Sequence, residues 1–312
     1  MTSSFDTMND APRTPPAPLH ATRPFYWSVR RELWENRSLY LAPLAVAALA
    51  MVGLLLSTIG MAQRRLQTLQ LPPAKQVALI SQPYDFAHGS VMITGFIVAV
   101  VYCLGALHGE RRDRSVLFWK SLPVSDLTTV LAKSFMPTVV LPVITGAIVI
   151  VLQLAMYAWS AMVLATHGVP QATYAQLPIG ELLVVVVYSL IVSTLWYAPL
   201  YAWFIMVAGW ARRVTFLWAV LPPAALCLGE KLAFNTTYLT KFMGDRLVGV
   251  YSHAFVNQPP SAPHAPPQAA LVGLAQLDPA PFFANPGLWI GLVAAVGFTA
   301  VSVWLRRRRE PL

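Results

Sequence analysis

Val214-Thr-Phe-Leu-Trp-Ala-Val-Leu-Pro-Pro-Ala-Ala-Leu-Cys-Leu-Gly229 decides whether this chain crosses a bilayer an odd or an even number of times. A spanning helix needs about 20 mostly apolar residues; this segment is shorter, and Pro222-Pro223 interrupts it. Charge on the rest of the chain settles its reading. Arg30, Arg31 and Arg37 precede the first apolar stretch, and Arg306 to Arg309 follow the last. Basic residues collect on the cytoplasmic side, so both termini belong there and the crossings are even in number. With 214–230 counted, the spans are six: about 39–62, 89–109, 134–159, 182–211, 214–230 and 288–305. Most of the 22 lysines and arginines then lie inside, the exceptions being Arg64, Arg65, Lys75, Lys231, Lys241 and Arg246. Arg64 and Arg65 run against the rule and read as an extension of the first helix past the outer surface.

Composition agrees. Hydrophobic residues make up 56% of the chain and charged ones 11%, where soluble domains carry about 25% charge. That cannot clothe a soluble globule of 312 residues. The expected fold class is an all-α integral membrane protein with six transmembrane helices, N-in and C-in, multi-pass in a bacterial-type inner (plasma) membrane. The net charge of +9 is flanking charge of this topology, with no nucleic-acid partner implied. Cys103 and Cys227 lie in apolar stretches without CxxC spacing and read as small hydrophobes. Residues 1–24 carry Pro12, Pro15, Pro16, Pro18 and Pro24 and no apolar core, so they read as a disordered cytoplasmic tail rather than a signal peptide. Residues 25–309 form one transmembrane domain.

Two further elements lie at the membrane surfaces. From Phe25 to Arg37, a helical wheel puts Phe25, Tyr26, Val29 and Leu33 on one arc. Ser28, Arg31, Glu32 and Glu35 fall opposite, with Trp27 and Trp34 at the border. This pattern predicts an N-terminal interfacial helix on the cytoplasmic side, an ordinary extension of the first span being the other reading. Between spans five and six lies an outer element, 231–286. Leu239, Phe242, Met243, Leu247 and Val250 are spaced as one helical face. The proline-rich run 258–267 excludes helix, and Ala269 to Leu277 is apolar but too short to span. Such a loop reads as a re-entrant cap on the outer mouth; a variable decoration is the other reading.

Catalytic motifs are missing from the sequence. HExxH and GxSxG do not occur, and no lysine follows a glycine, so a Walker A loop is excluded. His88 and His108 stand at opposite ends of the second span, roughly 30 Å apart, too far to share a metal. The chain is therefore expected to be no enzyme, with no metal or cofactor of its own. Spans carry few ionisable groups, which argues against a proton-coupled carrier. They do carry Gln153 and a stripe of Ser189, Ser193, Tyr197 and Tyr201 on one face. The stripe fits a translocation path for an amphiphile and, equally, hydrogen bonding between helices.

The polar connector between spans two and three concentrates charge in Glu110, Arg111, Arg112, Asp113, Arg114, Lys120 and Asp126. Beside that charge stands an apolar knob of Val116, Leu117, Phe118 and Trp119. Joining two spans requires far less, so the stretch reads as a contact surface.

Taken together, an interfacial helix, six spans, a charged inner connector and a large outer element resemble the ABC-2 type permease, the membrane subunit of type V-fold ABC exporters. Glu110-Arg-Arg-Asp-Arg114, Leu122-Pro-Val-Ser125 and Lys133 are similar to that family's acidic–basic–Asp pattern, LPV(S/T) and lysine. The resemblance implies a coupling helix at about Ser115 to Leu122, capped by Ser115 and ended by Pro123. Phe118 and Trp119 would anchor it on a partner, and Arg111, Arg112 and Arg114 would meet acidic groups of that partner or anionic lipid. It further implies a separate ATPase subunit, holding ATP and Mg, and a second permease copy, as homodimer or related heterodimer. The exported substrate would be a lipid, a peptide or a drug-like molecule. A non-transporting membrane anchor or sensor subunit of a regulatory complex fits the composition equally well. A membrane-embedded enzyme and a secondary carrier fit less well, for want of a nucleophile or metal set and of buried carboxylates.

Overall fold

Among the described residues six helices are long and apolar enough to cross a membrane: Ser38–Ser57, Lys75–Ala106, Asp126–Thr166, Ile179–Trp210, Thr215–Phe234 and Pro286–Arg308. The chain is an all-α, multi-pass membrane protein. This computed structural model describes residues 22–109, 125–168, 179–255 and 277–308. Among them the only β pairing is an isolated bridge between Phe255 and Leu277.

In chain order the helices are α1 (Thr22–Glu35), α2 (Ser38–Ser57), α3 (Met61–Thr68), α4 (Pro73–Ala106) and α5 (Asp126–Phe135). A π-helical turn, Met136–Val140, joins α5 to α6 (Leu141–Thr166). Then follow α7 (Ile179–Trp210), α8 (Thr215–Phe234), α9 (Tyr238–Val248), α10 (Val250–Ala254), α11 (Pro279–Ala284) and α12 (Pro286–Arg308).

The doubtful segment 214–230 is a helix, and the structure shows how it tolerates its prolines. Pro223 has no N–H to give the carbonyl of Ala219, four residues back. That carbonyl instead accepts the Trp203 indole N–H of α7 at 3.1 Å. A neighbouring helix thus satisfies the group that proline leaves bare, as a membrane interior requires. Ala219 is also the one buried residue of α8. Phe216, Leu221, Leu226 and Leu232 are all exposed, so α8 meets the bundle near one end and stands away from it elsewhere.

The two largest of the four apolar clusters among the described residues hold the bundle together. Ala47, Tyr84, Val91, Val149, Met156 and Val186 join α2, α4, α6 and α7. Leu39, Cys103, Val130, Met136, Ile205 and Val303 join α2, α4, α5, the π-helical turn, α7 and α12. The second cluster lies where α1 and the arginines of Arg306 to Arg308 gather, here called the basic end. The other end carries α3, beside Leu164 and Leu182, while α9 to α11 lie between the two ends, against the middle of α7.

Helix bounds depart from expectation in three places. α4 starts at Pro73, well before the expected Gly89, because Pro83 is accommodated inside the helix. Asp126–Thr166 is 41 residues long, about 60 Å if straight. This is twice the hydrocarbon thickness, so part of it stands outside that layer. Arg64 and Arg65 do not extend α2. Gly60, in the left-handed conformation with φ of 74°, breaks the chain into the separate α3. Arg64 donates to the carbonyls of Ser57 and Ile59, satisfying the end of α2. Arg65 is buried, which lowers its pKa, while nearby Tyr84 acts in the opposite sense.

Candidate functional site

At the basic end a carboxylate is buried among three donors. Glu32 of α1 is 2% exposed. Its Oε1 accepts from Lys133 Nζ of α5 at 2.7 Å and from Arg31 Nη2 at 3.0 Å; Oε2 accepts from the Tyr102 hydroxyl of α4 at 2.9 Å. Burial alone would push the Glu32 carboxyl up. The Lys133 ammonium and the three hydrogen bonds outweigh that and hold it below the usual carboxylate range. Arg31 also pairs with Glu35 at 3.6 Å, one turn on. The Asn36 side-chain amide closes the end of α1 on the Glu32 carbonyl at 2.9 Å.

The helical wheel placed Glu32 on the solvent arc, and the structure corrects it. Phe25, Val29, Glu32 and Leu33 face the bundle, with Phe25 edge-on to Phe135 at 5.4 Å. Tyr26, Trp27 and Trp34 are exposed. A counter-charge from another helix made the difference. Lys133 lies in the apolar run Val130-Leu-Ala-Lys133, where an unpaired ammonium would be costly. That lysine is the sequence signal that a partner carboxylate is needed; nothing local says which.

α5 is a short amphipathic helix with well-formed ends. Ser125 is extended, and its Oγ accepts the Thr128 N–H at 3.1 Å, an N-cap. Asp126 sits in the first turn and Lys133 in the last, as the helix dipole favours. Asp126 Oδ1 also meets Arg306 Nε of α12 at 3.1 Å. α5 therefore holds α12 through its first residue and α1 through Lys133. It leads into α6 through the π-helical turn, where Pro137 removes a backbone donor and the helical register shifts.

Away from the basic end, α9, α10 and α11 pack against the middle of α7. The Trp196 indole donates to the Arg246 carbonyl at 3.1 Å, and the Tyr197 hydroxyl to the Leu247 carbonyl at 3.0 Å. Both are last-turn carbonyls of α9, groups that a helix leaves without partners. The Tyr188 hydroxyl does the same for Ala254, the end of α10, at 2.9 Å. The start of α9 is held from α8: the Glu230 carboxylate accepts the N–H groups of Tyr238 and Leu239 at 2.7 and 2.8 Å.

Arg246 is the buried cation of this region, 6% exposed. Its Cζ lies 4.4 Å from the Trp196 ring centroid, and its Nη2 donates to the Gly287 carbonyl at 3.3 Å. Burial lowers its pKa, and Asp245 acts in the opposite sense. Asp245 itself pairs with His253, 2.9 Å from Nε2. The expected face of Leu239, Phe242, Met243, Leu247 and Val250 is turned in the structure: Phe242 and Leu247 are exposed, and Arg246 takes the inward position.

The proposed path residues Ser189, Ser193, Tyr197 and Tyr201 face neighbouring helices. Ser189 is fully buried, donating to the Val186 carbonyl at 2.8 Å and lying 3.3 Å from His88 Nε2. Tyr201 is buried beside Phe96 and Tyr197. Gln153 is buried on α6 and is not part of the α7 stripe. Among the described residues Gln153 Oε1 and His88 Nδ1 are buried without a protein hydrogen-bond partner. The coupling residues Glu110, Arg111, Arg112, Asp113, Arg114, Ser115, Phe118, Trp119 and Lys120 lie outside the described residues, as do 258–267 and the tail 1–21. Among described residues no group of three or more His, Cys, Asp and Glu is placed to hold a metal.

No family model, no curated protein and no solved structure matches this chain.

Proposed function

We propose that this chain is the permease subunit of an ATP-driven exporter, energised by a separate ATPase subunit that docks on the connector between α4 and α5. The observation that carries this reading is the placement of α5. The connector, with its charge cluster and Phe118-Trp119 knob, runs straight into Ser125 and Asp126. From there one ion pair reaches the last span and another reaches α1. A push on the connector would therefore be felt by α1, α4 and α12 together. The π-helical turn gives α5 a place to pivot against α6.

In this reading the basic end is cytoplasmic, in a bacterial-type inner membrane, with both termini inside and α1 lying in the interface. Helices α9 to α11 form the outer re-entrant element. Trp196 lies 14 residues from Trp210, about 21 Å up α7, which is within a hydrocarbon layer about 30 Å thick. A second permease copy would cover α8, the span with the smallest buried share. The polar groups Gln153, Ser189, Ser193, Tyr197 and Tyr201 would line the path once α7 separates from α4 and α6. The cargo would be a lipid, a peptide or a drug-like molecule.

The test is co-purification of the full chain from its native membrane, with mass spectrometry of what accompanies it. A Walker-motif ATPase is expected, with Phe118→Ala plus Trp119→Ala losing both association and stimulated ATP hydrolysis. Retention of both by the double variant overturns the coupling assignment. Recovery of a sensor kinase in place of an ATPase favours a non-transporting anchor instead.

A further inference from the structure

α1 turns an aromatic and cationic stripe away from the bundle. Trp27, Arg30 and Trp34 follow i, i+3, i+7 spacing and share one face. The Arg30 guanidinium carbon lies 5.1 Å from the Trp27 ring centroid and 4.6 Å from that of Trp34. Trp27 and Trp34 are 57% and 65% exposed. Among the described residues Arg30 meets no carboxylate, while its neighbour Arg31 is engaged by Glu32 and Glu35. An indole ring attracts the cation but replaces no carboxylate or phosphate, so the guanidinium's charge and fork of N–H donors still suit an anion. A cation held between two indoles in this way is ordered in advance for an anion.

The chain passes from α1 to α2 through Asn36 and Arg37 alone. On α2 the positions Arg37, Leu41, Leu44, Ala48, Val52 and Leu55 form one stripe, all exposed. Its apolar part runs about 21 Å from Leu41 to Leu55, enough to flank an acyl chain across the roughly 15 Å of one leaflet. In chain order two indoles and two arginines come first and an exposed apolar stripe follows, the polar-then-apolar succession that an amphiphile presents. Tryptophan at such a boundary suits the headgroup layer.

We propose that α1 and the first turns of α2 bind an anionic phospholipid at the basic end, with Arg30 and Arg37 on its phosphate and the α2 stripe along a tail. The site needs the chain to be a membrane protein but does not depend on an ATPase partner or on transport. The charge selects an anionic lipid over a zwitterionic one, and the apolar track selects a lipid over free phosphate.

Native mass spectrometry of the detergent-purified full chain tests this. It is titrated with phosphatidylglycerol, with phosphatidylcholine of the same chains, and with inorganic phosphate. Phosphatidylglycerol is expected to bind in preference to phosphatidylcholine. Arg30→Gln should weaken it roughly five- to tenfold, with unchanged size-exclusion profile and melting temperature. Lys75→Gln, which removes the same charge near the opposite end, should leave it unaltered. Equal binding of the two lipids, an equal loss in Lys75→Gln, or displacement of the lipid by millimolar inorganic phosphate would each overturn the site.

Discussion

Lys133 and Glu32, 101 positions apart, meet at 2.7 Å with both side chains almost wholly buried. The pair ties α1, which lies outside the six candidate spans, to the foot of the third span. Desolvating two charges is costly, and the attraction repays it only when the remaining hydrogen-bonding capacity is satisfied. Here Tyr102 and Arg31 complete the Glu32 carboxylate. The energetic weight of such a pair lies in what happens when one member goes.

Lys133→Met leaves a buried carboxylate without its ammonium. The expected loss is about 3–5 kcal/mol, read as a drop in the melting temperature of the detergent-purified chain. Adding Glu32→Leu removes the orphaned charge and should recover a large part of the loss. A single variant that costs less than about 1 kcal/mol would show that the pair behaves like a surface bridge.

The same carboxylate sets an acid dependence. Its folded pKa is depressed, so its stabilisation is complete above the unfolded value, about 4.3 for glutamate. It is lost as pH falls from there through the lower folded value. Melting temperature followed from pH 7 to pH 3 should therefore fall below about pH 4.5 in the native chain. In the Glu32→Leu, Lys133→Met variant this part of the fall should be missing. Identical acid profiles for the two proteins would remove Glu32 from the cause.

How far this was legible in sequence depends on whether the deciding contact is local. The spans were readable because about 20 apolar residues are a local property. The even count, which rescued 214–230, came from charge at the two ends of the chain. By contrast, α1 was read with Glu32 facing solvent, because a helical wheel sees only its own helix. The turned face of α9 has the same origin: Arg246 is drawn inward by Trp196 of α7, 50 positions earlier. Leu247, apolar by pattern, is left outside. In both places a polar group buried by a distant partner overrode amphipathic periodicity.

Trp196 serves Arg246 twice, through its ring and through its N–H. Trp196→Phe keeps an aromatic face but strips the donor from the last turn of α9. The unsatisfied carbonyl should cost about 1–3 kcal/mol, and amide exchange should quicken in α9 before it does in α7. Gly291→Ala attacks the same site from α12, since its new methyl group would collide with the Arg246 guanidinium. It should destabilise by about 1–3 kcal/mol. Unchanged exchange in α9 in both variants would mean that the outer helices are held by other contacts.

The proline in the fifth span offers a sharper test, because its cause can be removed as well as its remedy. Trp203 donates to Ala219 because Pro223 does not. Trp203→Phe alone should destabilise by about 1–3 kcal/mol through the bare carbonyl, while its ring can keep the edge contact with Phe298. Pro223→Ala supplies a backbone N–H to that same carbonyl. In the Pro223→Ala background, Trp203→Phe should cost much less, giving a double-mutant coupling on the order of 1 kcal/mol in melting experiments. Strict additivity would mean that the indole supports α8 by packing alone, and the account of how this span tolerates its prolines would fall.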